Sequence, residues 1–514
     1  MKIARSISSK VGNGGLLRSI RMSSMAGAIK VVCQISVALI VFPIIVRSGG
    51  AEALGSWVML QLIVGYLGLT NFGMGTALTR TIASSADDDN DKLASSVLAV
   101  LLAAFAVGVM MFAAILVFMD QIVDAVSAGL TSTIEITAIW MMYCAIIFRL
   151  SSSLIGAIVA GLQRTDLVQV SNAIQLISFI VGVFFLVEKL DLINALSAAF
   201  LISFILEFAF ITIASFRCGV RPLFQFHYSQ VGEALQFLKG CVSFLTLDVS
   251  LLIREPLLKL AVFWAGGSAA VGYFEIASKV PATIRQGFVQ GLSALMPAFA
   301  NMFRRKDYDN AIAIGKMTLL YIILGAVGAL IVYFFNAEFV LHIWIGESND
   351  QLLTFTRICT VWWAISALNV PAWWLGIGVG NVWKSAAVLL FHVVCSLLIL
   401  LAATSGYCTS LEAIVYWVLS GVAMQTLLYF NVSQVTHILR PMYIHPSMAI
   451  AAGILVVSSA VMLLVSAITL RLGESMYIQS IAGVALFIVA HLFLVVVINS
   501  RYNLGLLRPK VSDA

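Results

Sequence analysis

The chain has 514 residues, of which 61% are hydrophobic and 11% charged, with a formal net charge of +6. Soluble domains carry about 25% charged residues, so this composition excludes a soluble enzyme and a nucleic-acid-binding domain. A bilayer accommodates it, because each crossing helix takes about 20 mostly apolar residues, and a mean hydropathy of +1.03 points the same way.

From the N-terminus, Met1 to Arg21 carries five basic residues and no acid. The apolar run that follows lacks a small-residue cleavage site, so it reads as an uncleaved first span. Fourteen spans follow in order: 23–46, 56–79, 94–119, 134–160, 167–187, 192–215, 240–265, 268–298, 312–335, 352–377, 383–403, 409–434, 446–469 and 476–499. With the N-terminus inside, twenty of the thirty lysines and arginines fall in inner segments and three (Arg47, Lys189 and Arg471) in outer loops. Cytoplasmic loops collect positive charge, and the bias persists along the whole chain, so both termini are expected in the cytoplasm. The expected organisation is a cytoplasmic segment 1–22, an N-terminal lobe 23–215, a cytoplasmic linker 216–239, a C-terminal lobe 240–445, two further helices over 446–500 and a tail 501–514. The class is an all-α polytopic membrane protein with two six-helix lobes in a pseudo-two-fold arrangement.

Two stretches 217 positions apart resemble each other. Gly49-Gly50-Ala51-Glu52-Ala53-Leu54-Gly55 follows the first span, and Gly266-Gly267-Ser268-Ala269-Ala270-Val271-Gly272 follows the seventh. Same-direction repeats of this kind build transporters whose sites lie near the midplane. Tight turns that need glycine at positive φ would also produce such stretches.

Residues 49–80 resemble the opening of bacterial polysaccharide (O-antigen-type) flippases. The resemblance rests on Gly55-Ser56-Trp57 and on Gly73-Met74-Gly75-Thr76-Ala77 leading to Arg80. Asn71 stands where that family often has an acid. Val271-Gly272-Tyr273-Phe274 with Ala277, and Phe339-Val340-Leu341-His342-Ile343-Trp344-Ile345-Gly346, resemble later stretches of the same family. The resemblance implies the multidrug/oligosaccharidyl-lipid/polysaccharide exporter superfamily. It also implies a multi-pass protein of the bacterial cytoplasmic membrane that carries a polyprenyl-pyrophosphate-linked glycan from the inner to the outer leaflet. Alternating access, a proton or sodium gradient and polysaccharide assembly proteins as partners belong to the same implication.

The charges inside the spans fit such a cargo. Seven bases (Lys30, Arg149, Arg254, Lys259, Lys279, Arg285 and Arg357) face four acids (Glu207, Asp248, Glu255 and Glu275). Each costs roughly 2.5–3.5 kcal/mol at a helix centre, so these groups belong against protein or water. Arginine offers a planar fork to phosphate oxygens and lysine a point charge. The seven bases are therefore the candidate substrate-binding residues. Asp248, Glu255 and Glu275 are the candidate coupling-ion sites, with Asp248 first because it has no local partner. Glu255 with Lys259, and Glu275 with Lys279, have the i,i+4 spacing of self-neutralising pairs. Pro256 and the stretch Asn369 to Gly380 are candidate hinges or static kinks.

Other signals are discounted. Asp87-Asp88-Asp89-Asn90-Asp91 reads as a solvated turn. Six scattered histidines and seven cysteines show no metal spacing. Trp362, Trp363, Trp373 and Trp374 read mainly as interface aromatics. No phosphate-binding glycine loop is present, no cofactor is expected, and no catalytic residue is assigned. The alternatives are a cation-coupled multidrug exporter, which would want a more acidic interior, and an integral-membrane glycosyltransferase or polymerase, which would want a large extramembrane loop.

Overall fold

The computed structural model describes residues 13–68, 75, 78, 79, 82, 90–117, 136–162, 164–218, 231–292, 299, 302, 305–346, 348–378, 382–431, 446–471 and 475–502. Regular structure among them is entirely helical. The helices are α1 (Asn13–Gly68), α2 (Asn90–Val117), α3 (Ile136–Gly161), α4 (Thr165–Leu186), α5 (Leu192–Arg217), α6 (Val231–Gly291) and α7 (Tyr308–Tyr321). A π-helical segment, Ile322–Val327, leads into α8 (Gly328–Phe335) and α9 (Ala337–Ile345). Then come α10 (Asp350–Leu368), α11 (Val370–Gly378), α12 (Val382–Thr404), α13 (Ser410–Asn431), α14 (Pro446–Arg471) and α15 (Met476–Tyr502). Ten helices among the described residues are long and apolar enough to cross a membrane, and the chain is a multi-pass membrane protein. Among the described residues, the expected spans are helical over nearly all of their length. The first and second spans share α1, and the seventh and eighth share α6.

The two junctions inside those long helices are alike. Gly50 has φ 72° and ψ −176°; Gly267 has φ 74° and ψ −173°. This backbone region is open essentially to glycine alone. The two residues are 217 positions apart, so the weak sequence repeat recurs as a shared backbone conformation. The expected span 352–377 is interrupted where the candidate hinge stretch begins: the helix stops at Leu368, turns at Asn369 and resumes at Val370. Pro256, by contrast, lies inside continuous helix, and the non-helical residue recorded in α6 is Gly267.

The chain divides into two compact units, Met1–Gly272 and Tyr273–Ala514. In the first, small residues let helices approach, the usual device where lipid supplies no hydrophobic drive between helices. A Cβ on Gly182 of α4 would lie 2.9 Å from the Ala199 methyl of α5. Trp57, 3% exposed, stacks on Phe179 at 6.4 Å and meets Phe200 edge-on at 5.8 Å. The family-like Gly55-Ser56-Trp57 step is therefore core packing. Thr79 Oγ1 donates to the Ala157 carbonyl at 3.0 Å, which satisfies a hydroxyl that lipid could not.

In the second unit, Trp362 of α10 packs against Gly421 of α13. Its ring lies 5.0 Å from Trp417 and 6.0 Å from His392. Trp362 is thus a core residue, not an interface aromatic. The α14–α15 pair attaches to the chain segment 322–335 through Leu455, Met462 and Phe487, which pack on Ile323, Val327, Ile331 and Val332. Asn336 Nδ2 also donates to Met462 Sδ at 3.6 Å. Large exposed apolar side chains such as Phe105, Phe184, Leu464 and Phe493 form the surface suited to lipid.

Candidate functional site

The first unit holds four of the candidate cations. Lys30 lies half-buried on α1 and Arg149 exposed on α3. A buried acid, Glu207 of α5, stands in the electrostatic field of both. Glu207 is 8% exposed, and three helices thus contribute one acid and two bases to one cluster. Aromatic contacts hold it: the Arg149 guanidinium lies over the Phe204 ring at 5.6 Å, and Phe148 meets Phe208 at 5.5 Å. Those contacts join the neighbours of Arg149 on α3 to the neighbours of Glu207 on α5. A carboxylate costs several kcal/mol to bury alone, and bases on adjacent helices offset that cost.

Arg254, Glu255 and Lys259 share α6. Lys259 Nζ lies 3.1 Å from Glu255 Oε1, with the lysine side chain 9% and the glutamate 40% exposed. In the second unit, Lys279 Nζ lies 3.7 Å from Glu275 Oε1. Two of the seven candidate cations are therefore engaged by an acid one turn earlier, and two of the three candidate coupling acids by a lysine one turn later. The side chain of the third, Asp248, lies outside the described residues. Arg285 stands over the Trp363 ring at 5.5 Å, a cation–π arrangement suited to a desolvated arginine. Arg357 is exposed on α10.

Glu207 was missing from the sequence-based candidates. The signal existed: like Asp248, it is an acid inside a span with no base at i±3 or i±4. No group of three or more His, Cys, Asp or Glu residues among the described residues could hold a metal ion.

No family model matches the sequence, and no curated protein matches it. Solved structures do share the fold. The chain superposes on the lipid II flippase MurJ in its inward closed conformation with a TM-score of 0.69 at 14% identity, covering 95% of this chain and 100% of that one. A MOP superfamily transporter from Pyrococcus furiosus, described as having a binding pocket of reverse polarity, gives 0.57 at 15% identity over 82% of this chain and 96% of that one. An inward-facing multidrug resistance MATE family transporter gives 0.54 at 16% identity over 81% and 96%. The chain is similar to these in fold, the helical architecture that the sequence analysis expected.

Proposed function

We propose that the chain is a carrier, not an enzyme, that moves a polyprenyl-pyrophosphate-linked glycan from the inner to the outer leaflet of a bacterial cytoplasmic membrane, with both termini in the cytoplasm. The observation that carries this reading is the surplus of intramembrane cations over acids, with arginines Arg149 and Arg285 set against aromatic rings. A doubly anionic pyrophosphate is the cargo group that such cations serve best. Arg149, Arg254 and Arg285 supply bidentate donors, and Lys30 adds a point charge. Glu207 balances Lys30 and Arg149 while cargo is absent, and an ion gradient acting on that acid would reset the carrier.

The test is reconstitution into vesicles with a polyprenyl-pyrophosphate-linked sugar, following its exposure to a membrane-impermeant reagent. The intact protein moves the lipid between leaflets, and the Arg149→Gln, Arg254→Gln, Arg285→Gln triple variant does not. Equal movement by the triple variant would defeat the proposal. A second reading, a cation-coupled multidrug exporter, draws on the acids Glu207, Glu255 and Glu275. It requires export of a lipophilic cation by the same vesicles and no movement of the glycan lipid.

A further inference from the structure

The two C-terminal helices meet the rest of the second unit at one unusual place. Residues 322–327 wind as a π-helix, a wide turn frequent at functional sites. On one side, Ile322 and Ala326 pack with Ala367 and Val370 of the α10–α11 stretch, and Phe288 of α6 lies against the same group. Gly325 faces Phe288 so closely that a Cβ there would overlap the ring. On the other side, the His491 ring of α15 lies beside the backbone of Leu324. Its ring lies 3.8–4.0 Å from the position a Cβ on Gly328 would take. Phe487 stacks on His491 at 5.4 Å with an interplanar angle of 11°.

The residues on the first side are the immediate neighbours of a candidate site. Phe288 is one turn beyond Arg285 on α6, and Ala367 is one turn beyond Trp363 on α10. Side chains three and four positions apart share a helix face. Both members of the Arg285–Trp363 pair therefore stand one turn above residues that rest on the π-helical segment. An imidazole N–H is a donor suited to the carbonyl that a wide turn leaves without its usual i+4 partner, and lipid offers no substitute.

We infer that His491 is a positioning residue for Arg285: packed against Gly328 and donating to the Leu324 carbonyl, it holds the π-helical turn on which Phe288 and Ala367 rest, and so fixes the Arg285–Trp363 pair. The α14–α15 pair thereby acts on the cationic site without touching cargo. This inference rests on the reading of Arg285 as a cargo-binding cation, but its structural part is testable without that reading.

The experiment uses the full chain in nanodiscs with 5-fluorotryptophan incorporated. The Trp363 fluorine resonance is assigned by its loss in Trp363→Phe. Inorganic pyrophosphate is the binding probe. In His491→Phe the Trp363 resonance moves and pyrophosphate binding weakens by roughly tenfold, within the range seen for changes along packed networks. In His491→Gln, whose amide keeps a donor, both stay near the intact protein. Phe493→Leu, on the exposed face of the same helix, changes neither. An unmoved Trp363 resonance in folded His491→Phe overturns the inference, and so does failure of His491→Gln to restore it. If His491→Phe does not fold, Gly325→Ala takes its place: it presses on the π turn from the Phe288 side, and an unmoved Trp363 resonance there overturns the inference as well. If Arg285→Gln binds pyrophosphate as tightly as the intact protein, the cargo reading fails, while the resonance still decides the positioning role.

Discussion

Gly55 and Gly272 occupy matching places in the internal repeat and face each other's backbone neighbourhoods. A Cβ on Gly55 would overlap the Ser268 carbonyl oxygen, and a Cβ on Gly272 would overlap the Ala51 carbonyl oxygen. Main chain meets main chain here with no room for a methyl group. Two glycines from the two halves of the repeat thus make one reciprocal contact inside the first compact unit.

Gly55→Ala and Gly272→Ala are each expected to lower stability by about 1–3 kcal/mol or more, the usual cost of overpacking where backbone must shift. Thermal unfolding in detergent measures this. Ala at either position with an unchanged midpoint would show that the contact is looser than described.

Gly50 and Gly267 are sensitive for a different reason. Nothing lies within 4 Å of a Cβ at either position, so the penalty there is torsional. Gly50→Ala and Gly267→Ala should each cost roughly 1–3 kcal/mol. Because the two torsions match, the two losses should be similar, and the same unfolding assay compares them.

Glu207→Ala leaves Lys30 and Arg149 without their acid. Arg149 is exposed, so screening reduces the cost of an unbalanced buried charge to roughly 1–3 kcal/mol. Neutralising Arg149 at the same time, in a double-mutant cycle of Glu207→Gln with Arg149→Gln, should recover part of the loss. Strict additivity would mean that the two groups do not interact.

The ion-paired Lys259 and the ring-stacked Arg285 should separate by assay. Lys259→Gln removes an ion pair with Glu255 and is expected mainly to shift the unfolding midpoint. Arg285→Gln is expected to lower transport of the pyrophosphate lipid by roughly tenfold or more, the cost of a charge-assisted contact, with little change in midpoint. Equal transport defects in the two would erase the distinction drawn from the 3.1 Å pair.

Outside the spans, Arg164 grips Asp166 through both carboxylate oxygens, with Nε at 3.0 Å and an Nη at 3.1 Å. That carboxylate holds the Arg164 guanidinium more firmly protonated than usual. Arg164→Ala strands an acid whose residue is 7% exposed. A loss of about 1 kcal/mol follows, since Arg164 itself is largely in solvent. It is measured by unfolding at low and at high salt, and the difference from the intact chain should shrink at high salt.

Much of this architecture was legible because long apolar runs and glycine punctuation are local signals. The ends of α3, α5 and α12 fall within two residues of the expected spans, and the i,i+4 rule found both lysine–glutamate pairs. What escaped was non-local. The link from Glu207 to Lys30 and Arg149 joins residues on three helices, each more than fifty positions from the next in sequence. Trp362 looked like an interface aromatic because nothing near it in sequence announces Gly421 and Trp417 as neighbours. The π-helical turn left no mark either, since Ile322 to Val327 reads as ordinary apolar helix.

That turn has a practical consequence for anyone mapping this region with probes. A π-helix takes up one residue more than an α-helical turn, and each residue in a helix rotates the chain by about 100°. Residues 308–321 and 328–335 therefore do not share one continuous helical wheel. A cysteine ladder drawn as a single stripe from Tyr308 to Phe335 would begin on one face and finish on another. Accessibility patterns across it should be phased separately before and after Ile322–Val327.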